Sequence, residues 1–260
     1  MTDPRPRLES PGDRRAWILS MLRTVGFVSV AHLARRLGVS QMTIRRDLHN
    51  LQGTGSVRLV HGGASLSPGA LGNVTFPDDE HTAARERIAQ HAVGLVGRVD
   101  TIAIDAGATG YAIARALPED FAGCVITHSL PVLQLLASRG RRRVVALGGE
   151  LLPGRRAFVG PTTEAAVADL RVRRFFLSPC AVDARGVYAH SQGEAGVQRR
   201  LMDIADEVVL VSTEETFTTS APALVEPLDR VTAMVCDRRP PAEPACALRR
   251  VGVVFHVVGR

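Results

Sequence analysis

The sequence predicts an α/β protein in two parts: a small winged helix-turn-helix, then a mostly parallel sheet covered by helices. Three observations carry that prediction. Residues 28–51, VSVAHLARRLGVSQMTIRRDLHNL, hold two short helical periods on either side of Gly38. The charge is lopsided: residues 1–64 contain ten arginines and four acids, whereas residues 65–260 contain 22 of each, so the whole excess of +6 sits on the first part. From His81 onward, near-continuous apolar runs alternate with helical stretches, the pattern of strands buried on both faces.

Residues 1–12 are rich in Pro and charge and are expected to be disordered. Asp13 can cap a helix over residues 14–24 that turns Ile18, Leu19 and Leu22 inward. Phe27 and Val28 suit a short strand. Val30, Leu33, Ala34 and Leu37 then share one helical face. Gly38 can take the positive φ that ends a helix at low cost, and Ser40 is a good N-cap for the next one. Val39 and Ile44 are spaced as a hydrophobic staple. Ile44, Leu48 and Leu51 continue an apolar stripe, while Met42, Arg45, Arg46 and His49 lie opposite, with Gln41 and Thr43 in the first turn. A short helix, a tight turn and a second helix with a cationic, hydrogen-bonding face describe a recognition helix for double-stranded operator DNA. The run VRLVHGGA (residues 57–64) is expected to be a hairpin wing, with Arg58 and His61 on the phosphate backbone. A pair of solvated amphipathic helices is the alternative that these coincident features outweigh.

The DNA-binding part is expected to span 11–66, followed by a linker at 67–80 (SPGALGNVTFPDDE) and a sensing part at 81–260. In the last part the pattern predicts a helix over 82–96, then strand–turn–helix in TIAIDAGATGYAIARAL and again in VITHSLPVLQLLAS, where Pro131 fits a first helical turn. VVALGG, RRFFLSPCAV, EVVLVST, AMVCD and VVFHVV read as further strands, with a helix over 194–205. Ligands in such sheets bind at the carboxyl ends of strands. Three ends carry polar or Gly-rich turns: Asp105 to Gly110 (with Gly107 and Thr109), Thr127 to Ser129, and Gly148-Gly149-Glu150. The first suits an anion cradle, because two glycines allow close backbone approach and the next helix offers free N–H groups. Together the three ends predict a pocket.

Every one of the 32 basic residues is arginine, so no lysine Schiff base or lysine general base is available. The four cysteines form no CxxC pair and read as free thiols, which argues against a metal site or disulfides. No cofactor is implied. No apolar run is long enough to cross a bilayer, and the first residues lack a signal-peptide pattern, so a cytoplasmic protein with no membrane contact is expected.

The run VSQMTIRRDLHNLQGTGSVRLVHGGA resembles the N-terminal signature of the DeoR family of bacterial transcriptional regulators. Val39, Ser40, Thr43, Ile44, Arg45, Arg46, Asp47, Leu48, Leu51, Gly55, Arg58, His61, Gly62, Gly63 and Ala64 carry the match. The resemblance implies a C-terminal domain similar to ribose-5-phosphate isomerase and CoA-transferase folds that senses a phosphorylated sugar or other anionic metabolite. It also implies that Asp105, Gly107, Thr109, Thr127, Ser129, Gly148 and Gly149 belong to the family's ligand-site motifs. Departures occur where the family reads D-x-x-K-F, here Thr213, Thr216 and Phe217, and where it has a lysine, here Gln198. Arg155 or Arg156 could restore the lost charge. The expectation is a non-enzymatic repressor acting as a homodimer or homotetramer. The competing readings are an isomerase or CoA-transferase using Asp105 or Glu194 as base, and a DNA-binding protein whose second domain only oligomerises. His190, in YAHSQGE, is the residue to inspect between them.

Overall fold

The computed structural model describes residues 10–25, 27–54, 56–60, 62–66, 76, 79–140 and 143–259. It divides into two compact units, residues 1–74 and 75–260.

The first unit contains α1 (Pro11–Val25), β1 (Phe27–Ser29), α2 (Val30–Leu37), α3 (Gln41–Gly53), β2 (Val57–Val60) and β3 (Gly63–Leu66). Helix α1 begins three residues before the expected Arg14, so residues 11–12 are helical rather than disordered. Ser10, not Asp13, acts at its start: Ser10 Oγ accepts from the Asp13 N–H at 3.1 Å. Gly38 takes φ 66° and closes α2. Ser40 Oγ accepts from the Thr43 N–H and caps α3. Ile18, Leu22, Leu33, Ile44, Leu48 and Leu51 form one buried cluster between the helices and the three-stranded antiparallel sheet β1-β3-β2. The Gly-Gly pair has two separate reasons. Gly62 has φ 78° at the turn. A Cβ on Gly63 would sit 2.2 Å from the Val28 carbonyl, so no side chain fits between β3 and β1.

The second unit runs α4 (Thr82–Gly94), β4 (Thr101–Ile104), α5 (Ala108–Ala116), β5 (Cys124–Thr127), α6 (Leu130–Ser138), β6 (Arg143–Ala146), β7 (Glu150–Leu152), β8 (Ala157–Val159), α7 (Pro161–Val167), β9 (Val172–Leu177), β10 (Ala181–Val182), β11 (Val187–Ala189), α8 (Gln192–Asp203), β12 (Ala205–Ser212), β13 (Ala223–Glu226), β14 (Ala233–Cys236), α9 (Ala242–Arg250) and β15 (Val254–Val257). Seven of these strands make one sheet in the order β15-β14-β12-β9-β4-β5-β6, every pairing parallel. Successive side chains point to opposite faces. Ile102, Ile104, Phe176, Val209 and Val211 accordingly pack with α4, α5 and α6. Ala103, Phe175, Leu177 and Leu210 pack on the other face with α7, α8 and α9. Among the described residues no helix is long and apolar enough to cross a membrane.

Four features differ from the sequence reading. The run RRFFLSPCAV is two strands, because Pro179 has no N–H to continue a ladder. The sheet β10-β11-β13 is antiparallel and was not anticipated, and neither was the β7–β8 hairpin after Gly149. Helix α8 starts at Gln192, two residues early, with Ser191 Oγ accepting from the Glu194 N–H.

Candidate functional site

In the first unit, α3 turns Gln41, Met42, Arg45, Arg46 and His49 to solvent, and Arg58 is exposed on β2. The Ser40 and Thr43 hydroxyls are 2.9 Å apart. The His49 ring is fixed by a 2.8 Å contact of Nδ1 with the Arg45 carbonyl, which must be the acceptor. His61 lies outside the described residues. Asp47, which could not favour a phosphate, points inward: its carboxylate accepts from Arg14 Nε at 2.6 Å and Arg14 Nη2 at 3.2 Å. It ties α3 to α1 and leaves the outward face cationic.

In the second unit the strand order reverses between β4 and β9. From β4 the chain proceeds through β5 and β6 in one direction, and from β9 through β12, β14 and β15 in the other. A crevice forms at such a switch point, outside the carboxyl ends of the strands. A cleft of about 370 Å³ lies there, lined by Gly107 and Thr109 after β4, by Ser178 and Cys180 after β9, and by Val211 and Thr213 at the end of β12. Asp79, Arg85, Arg155, His190, Glu215, Thr216 and Thr219 complete its polar wall, so acids as well as arginines face the cleft.

Gly107 caps α5 with φ 116°. A Cβ built there would lie 3.6 Å from Ser178 Oγ and 4.0 Å from Arg155 Nη2, so a hydroxyl and a guanidinium face the turn. The first-turn N–H groups of α5 have no partner within the helix. Gly110 sits against the strand end, where a Cβ would be 2.2 Å from the Asp105 carbonyl. Arg155 Nε bonds Glu194 at 2.9 Å, and Arg85 holds both oxygens of Asp79 at 2.7 and 2.8 Å. The Arg85 hydrogen bond holds the Asp79 carboxyl below the usual carboxylate range. Cys180 Sγ is 3.2 Å from His190 Nδ1. Burial pushes the thiol up, and burial together with the Arg155 charge pushes the imidazole down, so the pair rests as neutral thiol and imidazole.

Asp105 lies beneath the cleft, not in it. Its side chain is 0% exposed and accepts four hydrogen bonds: Ala106 N at 2.8 Å, His128 Nε2 at 2.9 Å, Ser178 N at 3.0 Å and Gln198 Nε2 at 2.8 Å. His128 is also buried, and its Nδ1 meets the Phe158 carbonyl at 2.9 Å. Both neighbours of the ring are acceptors, so both nitrogens carry protons. Burial opposes that charge, but the hydrogen bond and charge of Asp105, with the Phe158 carbonyl and the Glu194 charge, outweigh it and move the pKa up. This buried brace joins the turn after β4 to the turn after β9.

The predicted residues therefore separate. Gly107, Thr109 and His190 line the cleft. Thr127, Ser129, Gly148 and Gly149 do not, because β5 and β6 lie beyond β4, away from the switch point. Thr127 Oγ1 donates to the Ile104 carbonyl, Ser129 caps α6, and Gly149 leaves room for Thr163 Oγ1, which would stand 2.0 Å from a Cβ. Arg85, Ser178 and Cys180 were not singled out from sequence; the run SPC at the end of an apolar strand signals Ser178 and Cys180, and nothing local marks Arg85 on α4. The two carboxylates suggested as bases are both sequestered, Asp105 by its four donors and Glu194, 3% exposed, by Arg155.

Comparison with known proteins follows the same division. A DeoR-like helix-turn-helix domain matches residues 14–68, and the DeoR C terminal sensor domain matches residues 80–238. The HTH-type transcriptional repressor CsqR of Escherichia coli (strain K12) is 30% identical over 88% of this chain and 88% of its own length. The glycerol-3-phosphate regulon repressor of the same organism is 28% identical over 88% of this chain and 91% of its own. Among solved structures, ribose 5-phosphate isomerase A from Methanocaldococcus jannaschii aligns with 53% of this chain and 55% of its own at 16% identity, TM-score 0.40. The two matched domains together cover most of the sequence, in the order that the two units show, and the chain belongs to the DeoR family of helix-turn-helix transcriptional regulators.

Proposed function

We propose that this protein represses a metabolic operon by binding a specific operator as a homodimer or homotetramer, and that a small anionic metabolite, such as a phosphorylated sugar, controls it from the cleft. The observation that carries the sensing half is the donor set around Gly107: the Ser178 hydroxyl and the Arg155 guanidinium face the N-terminal turn of α5 at the switch of the sheet, and Thr109 lines the same cleft. A helix N-terminus with an adjacent guanidinium stabilises a phosphate or carboxylate. Arg155 and Arg85 are the guanidiniums of the cleft where the family has lysines; both are paired with carboxylates, Arg155 with Glu194 and Arg85 with Asp79, so an anionic ligand competes with those partners for them. Relatives named as repressors, one of them a glycerol-3-phosphate regulon repressor, support the same reading.

On the DNA side, Gln41, Met42, Arg45, Arg46 and His49 face the major groove, and Ser40, Thr43, Arg58 and His61 contact backbone. A single small module makes few base contacts, so two half-sites about one helical turn, or multiples of it, apart supply the affinity.

Two measurements test this. Arg45→Ala and Arg46→Ala are compared with Arg58→Ala on selected and scrambled duplexes at several salt concentrations. At least one recognition-helix variant loses roughly 1–3 kcal/mol on the selected duplex alone, whereas Arg58→Ala weakens both about equally and lowers the salt slope by about one unit. Equal losses in all three on both duplexes would refute the recognition-helix assignment. For the cleft, a screen of phosphorylated metabolites by thermal shift finds a ligand that raises the melting temperature by mass action. Thr109→Glu, which places a carboxylate at the anion site, abolishes that shift and leaves DNA binding intact. A normal shift in this variant would make the turn purely structural.

A further inference from the structure

The recognition helix carries one apolar side chain where none is needed for folding. Met42 is 71% exposed. It lies two residues before Ile44, about 200° around the helix at 100° per residue, so it points away from the buried stripe of Ile44, Leu48 and Leu51. Its neighbours on that face are Gln41, Arg45, Arg46 and His49, all exposed. The face is built for a polyanion, with Arg58 exposed nearby in sequence on β2 and Asp47 turned inward to Arg14.

An apolar side chain among cations on such a face has one apolar counterpart in the major groove, the C5-methyl group of thymine. We propose that Met42 is a specificity-determining residue that reads a thymine methyl in each operator half-site. The assignment rests on the recognition-helix reading above. Methionine suits the contact because it is unbranched and adapts to an irregular surface. Its position also sets the register. Met42 and Arg45 are three residues apart, a rise of about 4.5 Å. The spacing of base pairs is about 3.4 Å. The thymine therefore lies within one or two base pairs of the base that Arg45 reaches.

The contact buries about one methyl group against the thioether, which corresponds to roughly a three- to five-fold gain in affinity per half-site. The test starts from operators selected out of random duplexes by the full-length protein and by its Met42→Ala variant; alanine keeps the helix, being the best helix former. Each thymine of the selected site is then replaced singly by deoxyuridine, which removes only the methyl group. One replacement per half-site should weaken the wild-type protein three- to five-fold and leave Met42→Ala unaffected, and the variant's selected sites should tolerate cytosine at that position. Two results overturn the proposal: no thymine-to-uracil change alters wild-type binding, or the same change weakens both proteins alike. If the wild-type protein enriches no sequence at all, the recognition-helix reading fails and this assignment fails with it. Enrichment of a site that is indifferent to the thymine methyl removes only the Met42 assignment.

Discussion

Replacing Asp105 with alanine is expected to lower the melting temperature of the sensor unit by about 6–20 °C, from a loss of roughly 3–5 kcal/mol. The size follows from what the substitution leaves behind. His128 is buried with a proton on each nitrogen, and among the described residues Asp105 is its only carboxylate partner within hydrogen-bond distance. The Ser178 N–H and Gln198 Nε2 lose their acceptor at the same time. Asp105→Asn keeps the shape, removes the charge, and separates the two effects. The pH dependence has a definite sign. Folding raises the His128 pKa, so its contribution is fully present below the unfolded value of about 6.5 and is lost as pH rises through the folded value. His91 and His190 are pushed down and act oppositely, losing stability as pH falls. The difference between wild type and Asp105→Asn across pH isolates the His128 part. An Asp105→Ala protein that melts within about 2 °C of wild type would show that the brace carries little.

That brace also shows where sequence reasoning stops. The helix-turn-helix was legible because its determinants are local: a left-handed Gly38, a capping Ser40 and a 3.6-residue period all act within a few residues. The strands of the second unit were legible for the same reason. Their order was not. Thr127, Ser129, Gly148 and Gly149 carry the same local signal as Gly107 and Thr109, namely small and polar residues after an apolar strand. What divides them is which strands are neighbours, and β4 pairs with β9 across about 70 residues of chain. The switch point, and with it the choice of Ser178 and Cys180 over Thr127 and Gly149, exists only once those long-range pairs are made. The short strands β10, β11 and β13 have too few residues to show a period. Asp105 was read as a ligand-site residue or a base, and its burial under His128 and Gln198 is a tertiary fact that the local sequence does not carry.

Asp47 illustrates the same limit in the DNA-binding unit, and its removal has the second large expected effect. Asp47→Ala should cost roughly 1.5–3 kcal/mol, the scale of a hydrogen bond to a charged group. In a domain of about 60 residues that corresponds to about 6–24 °C in melting temperature. The loss is less than that of a fully buried pair because Arg14 is 17% exposed and can turn to water. Asp47 has no such escape, since its side chain is only 5% exposed. Arg14→Ala should therefore cost more than Asp47→Ala, and the double variant should cost less than the sum of the two. Hydrogen exchange read separately in α3 and α8 checks this, because the two units are compact on their own and only α3 should lose protection. The recognition face is untouched by the substitution, so the fraction that stays folded should choose the same operator bases. If Arg14→Ala proves the milder change, the Asp47 carboxylate has another partner, and the link between α1 and α3 lies elsewhere.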